Sequence, residues 1–159
     1  MSLLALLLGE HGPLRHGVES LRRAAPGLAA GELAAASLAL AAAIESHAQL
    51  EDELLFEPLA ASGRMPPGPI EVMRAEHEEI ERLLAGLRDA SAEPGRSDAQ
   101  RTVLRLAQTV HDHFDHEEQV LFPLATQVLD ARQLAAQGHA WAERRGVELR
   151  AIAGGAFPG

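Results

Sequence analysis

Apolar residues recur every three or four positions along four stretches of the chain, which is the spacing of one face of an α-helix. The clearest examples are the stripe Leu40, Ile44, Leu54 and Leu55 and the stripe Leu106, Val110, Val120, Leu121 and Leu124. Hydrophobic residues make up 47% of the chain and aromatic residues only 3%, so Ala and Leu supply most of the apolar content. Because strands prefer β-branched and aromatic residues, the pattern predicts an all-α protein.

Proline and glycine mark the expected helix ends. Breaks are predicted at Pro26-Gly27 with Gly31, across the loop 62–69, and at Glu93-Pro94-Gly95. The second helix is therefore expected to run to about Ala60 and the third to about Asp89. Short connections of this kind are typical of antiparallel neighbours in a helical bundle.

Two capping boxes predict where the later helices begin. Ser97 with Gln100 is expected to begin the fourth helix. Asp130 with Gln133 is expected to begin a shorter fifth helix, which packs Trp141 on the bundle.

The length of 159 residues fits one ordinary domain. We expect residues 1–150 to form an antiparallel up-down-up-down four-helix bundle with a short fifth C-terminal helix. Residues 151–159 are expected to form a flexible tail.

The chain contains an internal repeat with an offset of 66 residues. Glu10-His11 recurs as Glu76-His77, and the pair His47 and Glu51 recurs as His113 and Glu117. A Leu-Phe pair follows in both copies, and then a proline that is one position out of step, at Pro58 and Pro123. The repeat predicts two matching helical hairpins.

Each predicted core stripe includes a histidine, and two stripes also include a glutamate one turn later. A buried carboxylate without a partner costs several kcal/mol or becomes neutral, whereas residues at i and i+4 can hold one cation together. For a single pair, a hydrogen-bonded core histidine or a surface contact would be the commoner interpretation. Two copies at equal spacing favour a metal site instead, made by His11, His47, Glu51, His77, His113 and Glu117.

The repeated pattern of His followed by His-x-x-x-Glu, with Phe and Pro after each pair, resembles the hemerythrin-like, or HHE cation-binding, domains from Glu10 to Leu124. The resemblance implies a four-helix bundle with a non-haem centre of two iron ions joined by an oxo or hydroxo bridge. It implies that His11 and His47 hold one iron, His77 and His113 hold the other, and Glu51 and Glu117 bridge them. Zinc and manganese also suit imidazole and carboxylate ligands.

The sequence departs from the oxygen-carrying hemerythrins at two positions. Those proteins have a second histidine one turn after the third-helix histidine, where this chain has Glu81, and an Asp bridge where this chain has Glu117. We predict that Glu81 is an extra ligand of the second iron, where its charge would stabilise the ferric state. The alternative is a solvated glutamate in an acidic run, because its repeat partner Arg15 is typical of a surface position.

The other histidines have weaker contexts. His116 lies one turn from His113 but its repeat partner is Leu50, so a flanking role is expected. His111, His16 and His139 are expected at the surface.

Composition excludes several functions. The formal net charge is −9 and all 14 cations are Arg, which argues against nucleic acid and anionic membranes as partners. Without Cys there is no disulfide or thiolate chemistry, and without Tyr no tyrosyl radical. The apolar N-terminus is short and lacks a basic region, so we do not expect a signal peptide. We expect the protein to be cytoplasmic.

Three functions remain open from the sequence. The leading hypothesis is a di-iron protein that binds or senses oxygen, nitric oxide, or iron and redox status, because the six ligands leave coordination positions free. The second is a di-iron enzyme acting on peroxide or nitric oxide. The third is a structural bundle that a metal such as zinc only stabilises. Few anionic ligands favour reversible binding over substrate oxidation, and the protein partner is not indicated.

Overall fold

A computed structural model of the chain describes residues 1–89 and 96–149. Five helices follow in order: α1 Leu3–Ala24, α2 Ala30–Ala61, α3 Pro69–Asp89, α4 at 96–128 and α5 Ala131–Arg145. Helix α1 packs against α2 and α4, and α3 packs against the same two helices. The described residues contain no strand, so the predicted all-α helical bundle is confirmed.

Helices α2 and α4 each contain a wider, π-helical turn, at Asp52–Phe56 and Glu117–Leu121. A proline follows each of them at the same distance, Pro58 in α2 and Pro123 in α4. Proline has no backbone N–H and clashes with the preceding turn, so the helix widens locally instead of breaking. The π turns therefore follow the proline register, which is one residue out of step with the repeat.

Two apolar clusters fill the interior. One contains Leu7, Leu55, Phe56 and Leu121 and is covered by Trp141 of α5. The other contains residues such as Leu14, Ile44, Ile80, Leu84 and Val110. Along every helix of the bundle the predicted histidine lies between residues of the two clusters, so the polar site separates them.

Helix α5 begins at the predicted capping box. The Asp130 carboxylate accepts from the backbone N–H of Gln133 at 2.8 Å, and the Gln133 side chain accepts from the Asp130 N–H at 2.9 Å. Trp141 is buried, as expected. The Ser97 side chain, the loop at Glu93-Pro94-Gly95 and residues 151–159 lie outside the described residues.

Helix α2 is long and apolar enough to cross a membrane by length and composition alone. Its inward face, however, includes the buried polar residues Ser37, His47 and Glu51, and it packs against both α1 and α3. This arrangement is that of the core helix of a water-soluble bundle, where an Ala-rich sequence allows close packing on several sides.

Gly138 is the point at which α5 approaches the start of α1. A Cβ atom there would lie 2.4 Å from the Met1 carbonyl oxygen and 3.1 Å from the Leu3 nitrogen, both backbone atoms. Gly138→Ala is therefore expected to lower the free energy of unfolding by about 1–3 kcal/mol, measured by chemical denaturation. Gly86→Ala, where a Cβ meets only ordinary contact with Thr102, is the control and is expected to be neutral or to stabilise by roughly 0.5 kcal/mol. Equal effects would contradict the close approach at Gly138.

Candidate metal centre

The six residues of the repeated motif converge in the middle of the bundle. Each is at most 5% exposed, with Glu51 and Glu117 fully buried. Their ligand atoms form two groups, each with all atoms within 4.8 Å of one another. The groups are His11, His47, Glu51 and Glu117, and Glu51, His77 and His113. The histidines are therefore paired as the resemblance implies, with Glu51 shared.

The Nε2 atoms of the four imidazoles face the interior. His47 Nε2 lies 3.0 Å from Glu51 Oε1, and His77 Nε2 lies 3.1 Å from His113 Nε2. Two ligand atoms that bind one ion at right angles, with bonds of about 2.1 Å, are about 3 Å apart. The spacing therefore fits ligands that share a metal ion.

The two glutamates are not equivalent. Glu51 Oε1 lies 3.0 Å from His47 Nε2, whereas its Oε2 lies 3.5 Å from His77 Nε2, so its two oxygens face different groups. Glu117 approaches with Oε2 only, at 3.3 Å from His11 Nε2 and 3.7 Å from His113 Nε2. Glu117 begins a π turn and Glu51 precedes one, so the two backbones hold their carboxylates differently.

Six of the polar atoms that face the centre have no hydrogen-bond partner among the described residues. They are the Nε2 atoms of His11 and His47 and both carboxylate oxygens of Glu51 and Glu117. An unsatisfied buried polar group costs about 1–3 kcal/mol, and more if it is charged. Four imidazoles and two carboxylates that share one small region are satisfied together by cations, so the residues present fit a metal centre.

A carboxylate lies against the outer nitrogen, Nδ1, of each imidazole. Glu10 accepts from His47 at 2.8 Å and Glu76 from His113 at 3.0 Å. These two glutamates are repeat partners, each directly before a predicted histidine ligand. Such a bond selects the tautomer whose Nε2 is free to bind a metal and fixes the ring orientation.

The remaining two imidazoles also have a carboxylate beside Nδ1, which is hydrogen-bonded at His11 but not at His77. Glu118 lies 2.8 Å from His11 Nδ1, and Asp52 Oδ2 lies 3.5 Å from His77 Nδ1. Asp52 and Glu118 each directly follow a predicted bridging glutamate. These outer carboxylates were not predicted from the sequence, although an acidic residue directly before His11 and His77, and another directly after each motif glutamate, was a usable signal.

The outer carboxylates are themselves held differently in the two halves. Glu10 accepts from Trp141 Nε1 at 3.4 Å and pairs with Arg145 at 2.8 Å. Its repeat partner Glu76 instead lies 2.6 Å from His116 Nδ1. His116 is thus a flanking residue, as the sequence analysis expected, and the C-terminal helix α5 anchors only the first half-site.

The buried ionisable groups shift one another's pKa values. Burial would lower the pKa of His11, but neighbouring carboxylates, first that of Glu117, raise it to about 9. Neighbouring carboxylates outweigh burial in the same way at His47, whose pKa is raised to about 10, and at His77, whose pKa is raised to about 9. Burial raises the pKa of Glu51, but His47 and the other imidazoles hold it well below its usual range. Burial and the Glu51 charge raise the pKa of Glu117.

Glu81 lies outside both ligand groups. Its side chain is exposed at the surface of α3, beside the centre but not within it. The structure therefore does not bring Glu81 to the metal-binding atoms, although it was predicted as an additional ligand. Glu81 lies one turn after His77 on α3, but its side chain is at the exposed edge of the bundle.

The other histidines lie away from the centre. His16 and His139 are exposed, as expected. His111 is half-buried, and its Nδ1 lies 3.1 Å from Arg15 Nη1.

A small, nearly closed cavity of about 10 Å³ adjoins the second ligand group. His47, His77 and His113 line it, together with Glu45, Glu81 and apolar residues such as Ile80 and Phe114. Its volume is about that of one water-sized molecule. A small ligand therefore fits beside the imidazoles, whereas a large substrate does not.

The fold and the buried His and Glu atoms define a helical-bundle protein that binds metal cations. Compared with known proteins, the chain matches the hemerythrin HHE cation binding domain over residues 2–144. The match covers most of the chain, and the protein belongs to this family. No curated protein and no solved structure gives a match.

Metal binding is expected to release protons. At pH 7 the imidazoles of His11, His47 and His77 are charged in the metal-free protein, because their pKa values of about 9, 10 and 9 lie above the pH. A metal ion binds only the neutral ring, so loading displaces these protons. Indicator absorbance during anaerobic titration with Fe²⁺ in weak buffer measures the release. His16→Ala is the control and is expected to release the same number, whereas loading without release at pH 7 would contradict the raised pKa values.

Proposed function

We propose that this protein binds two non-haem iron ions in the cytoplasm and uses them to bind or sense oxygen, nitric oxide, or iron and redox status. The observation that supports the proposal is the buried set of four imidazoles and two carboxylates, arranged as two groups that share Glu51. Both carboxylates and the Nε2 atoms of His11 and His47 have no hydrogen-bond partner among the described residues. Bound iron would supply a change of redox state and affinity for diatomic ligands.

Ligand chemistry favours iron and a small ligand. Each group offers two imidazoles and at least one carboxylate, which leaves coordination positions for an external molecule. The low number of anionic ligands stabilises highly oxidised iron poorly. The adjoining cavity has room for about one small molecule, which favours a diatomic ligand over an organic substrate.

The protein's own residues orient the ligands and exclude water. Phe114 stacks on the His11 ring with centroids 4.1 Å apart, and Phe56 stacks on His77 at 5.2 Å. Outer carboxylates accept from the Nδ1 atoms of His11, His47 and His113, so these three rings are also fixed at the edge. A ligand inside this apolar shell would be separated from bulk water.

The test is anaerobic loading with Fe²⁺, followed by elemental analysis and optical spectra before and after exposure to oxygen or nitric oxide. We expect about two iron ions per chain and spectral changes with one or both gases. A single ion per chain would contradict the two-group arrangement. Two ions without any response to either gas would favour a structural role, and rapid turnover of peroxide would favour an enzyme.

Variants test the asymmetry of the two glutamates. Glu51→Gln is expected to weaken both sites, because its oxygens face both groups. Glu117→Gln is expected to affect chiefly the site at His11, which its Oε2 approaches most closely. His139→Ala is the control and is expected to retain all the iron. The measurements are iron per chain and the melting temperature of the loaded and metal-free forms, because a ligand that binds only the folded state stabilises it. Loss of iron in His139→Ala equal to that in Glu51→Gln would show that the ligands are assigned wrongly.

A further inference from the structure

An acidic cleft opens to solvent beside the second ligand group. It has a volume of about 320 Å³ and is lined by Asp52, Glu57, Glu78 and Glu81 together with Arg74 and His77. A neighbouring cleft shares Asp52 and Glu81 with it and adds Glu45 and Glu53. Four carboxylates against one guanidinium make the acidic cleft a region of negative potential.

Two residues that line the acidic cleft, His77 and Asp52, have buried polar atoms without hydrogen-bond partners among the described residues. His77 is only 5% exposed, and its Nδ1 has no hydrogen-bond partner among the described residues. The nearest carboxylate is Asp52, whose Oδ2 lies 3.5 Å from that nitrogen and whose Oδ1 is buried and also unpartnered. The opposite nitrogen of the same ring lies 3.5 Å from Glu51 Oε2 in the centre. One imidazole therefore separates the acidic cleft from the interior ligands.

The first half of the repeat shows what such carboxylates attract. The repeat partner of Glu81 is Arg15, and the repeat partner of Asp52 is Glu118. The Arg15 guanidinium donates to Glu118 Oε1 at 3.2 Å and to Asp115 at 2.7 Å. It also lies 5.4 Å above the ring of Phe114, so it is held in place on that side. The protein's own cation thus covers the first half-site.

Arg74 also lines the acidic cleft of the second half, but no ion pair between a guanidinium and Asp52 or Glu81 is present among the described residues. Glu81 replaces the arginine, and the only ion pair described for Asp52 is the one with His77. Arg88, on the far side, is paired with Glu45 at 2.6 Å. The carboxylates therefore face solvent at a position where the first half holds a cation.

We propose that the acidic cleft captures a hydrated divalent metal cation and is the route by which metal reaches the buried centre, with Asp52, Glu78 and Glu81 as the capturing groups. The inference rests on the proposed function, because it requires a metal-binding interior. A cleft lined by charge of one sign raises the local concentration of counter-ions and their association rates by 10- to 1000-fold. Glu81 then acts in loading, outside the centre, and is not a ligand of the final site.

The experiment measures the rate of Co²⁺ uptake by the full metal-free chain in stopped-flow absorbance at low ionic strength. Glu81→Gln is expected to slow uptake roughly threefold, and Glu81→Arg, which copies Arg15, roughly tenfold or more. The final cobalt per chain and the final spectrum are expected to match those of the wild type. The differences in rate are expected to shrink as salt is added, because exposed charges are screened.

Glu143→Gln is the matched control, since it removes one exposed carboxylate from α5 outside both clefts. It is expected to load at the wild-type rate. Equal rates in all variants, or equal slowing by Glu143→Gln, would overturn the role of the acidic cleft while leaving the metal centre intact. A changed final spectrum in Glu81→Gln would show that Glu81 is a ligand and would overturn the loading role. No uptake by the wild type would overturn both proposals.

Discussion

The structure depends on neutralising the charge of two buried carboxylates. Glu51 and Glu117 lie at the centre of the bundle, fully removed from water. Isolated charges there would cost far more than the bundle could offset. The four imidazoles can neutralise this negative charge in two ways: they can be protonated, or they can bind metal cations. Protons and cations therefore compete for the same nitrogen atoms, and the centre is charged and balanced in both forms.

The internal repeat explains the arrangement of the site and also why its two halves differ. Each copy supplies one buried glutamate, two imidazoles and two outer carboxylates, one of which lies against an imidazole of the other copy. The proline of the second copy is displaced by one residue, so the π turn begins after Glu51 in α2 but at Glu117 in α4. Helix α5 then covers only the first copy. A nearly symmetric sequence thus produces two groups of candidate metal ligands with different surroundings.

Much of this was predictable from the sequence, because the helical period and the exact repeat identify the core faces and the residues on them. The convergence of the six predicted ligands and the capping box at Asp130 follow from those local patterns. The π turns were not predictable, since a proline after a long helix indicates a kink or an end equally well. The position of Glu81 was not predictable either: the helical period places it on the side of His77, but only the packing of α2 and α4 decides where the interior ends.

The two apolar clusters have a consequence for how the protein folds. The polar centre lies between them along all four helices of the bundle. Side-chain contact between the two clusters is therefore made largely through the polar groups of the centre. Bound cations would tie the four helices together at that level and couple the two clusters into one cooperative unit. With protons alone, the linkage would consist of ion pairs such as the one between His47 and Glu51, and we expect the two ends of the bundle to be less strongly coupled. The metal centre is therefore a determinant of folding cooperativity as well as a site of chemistry.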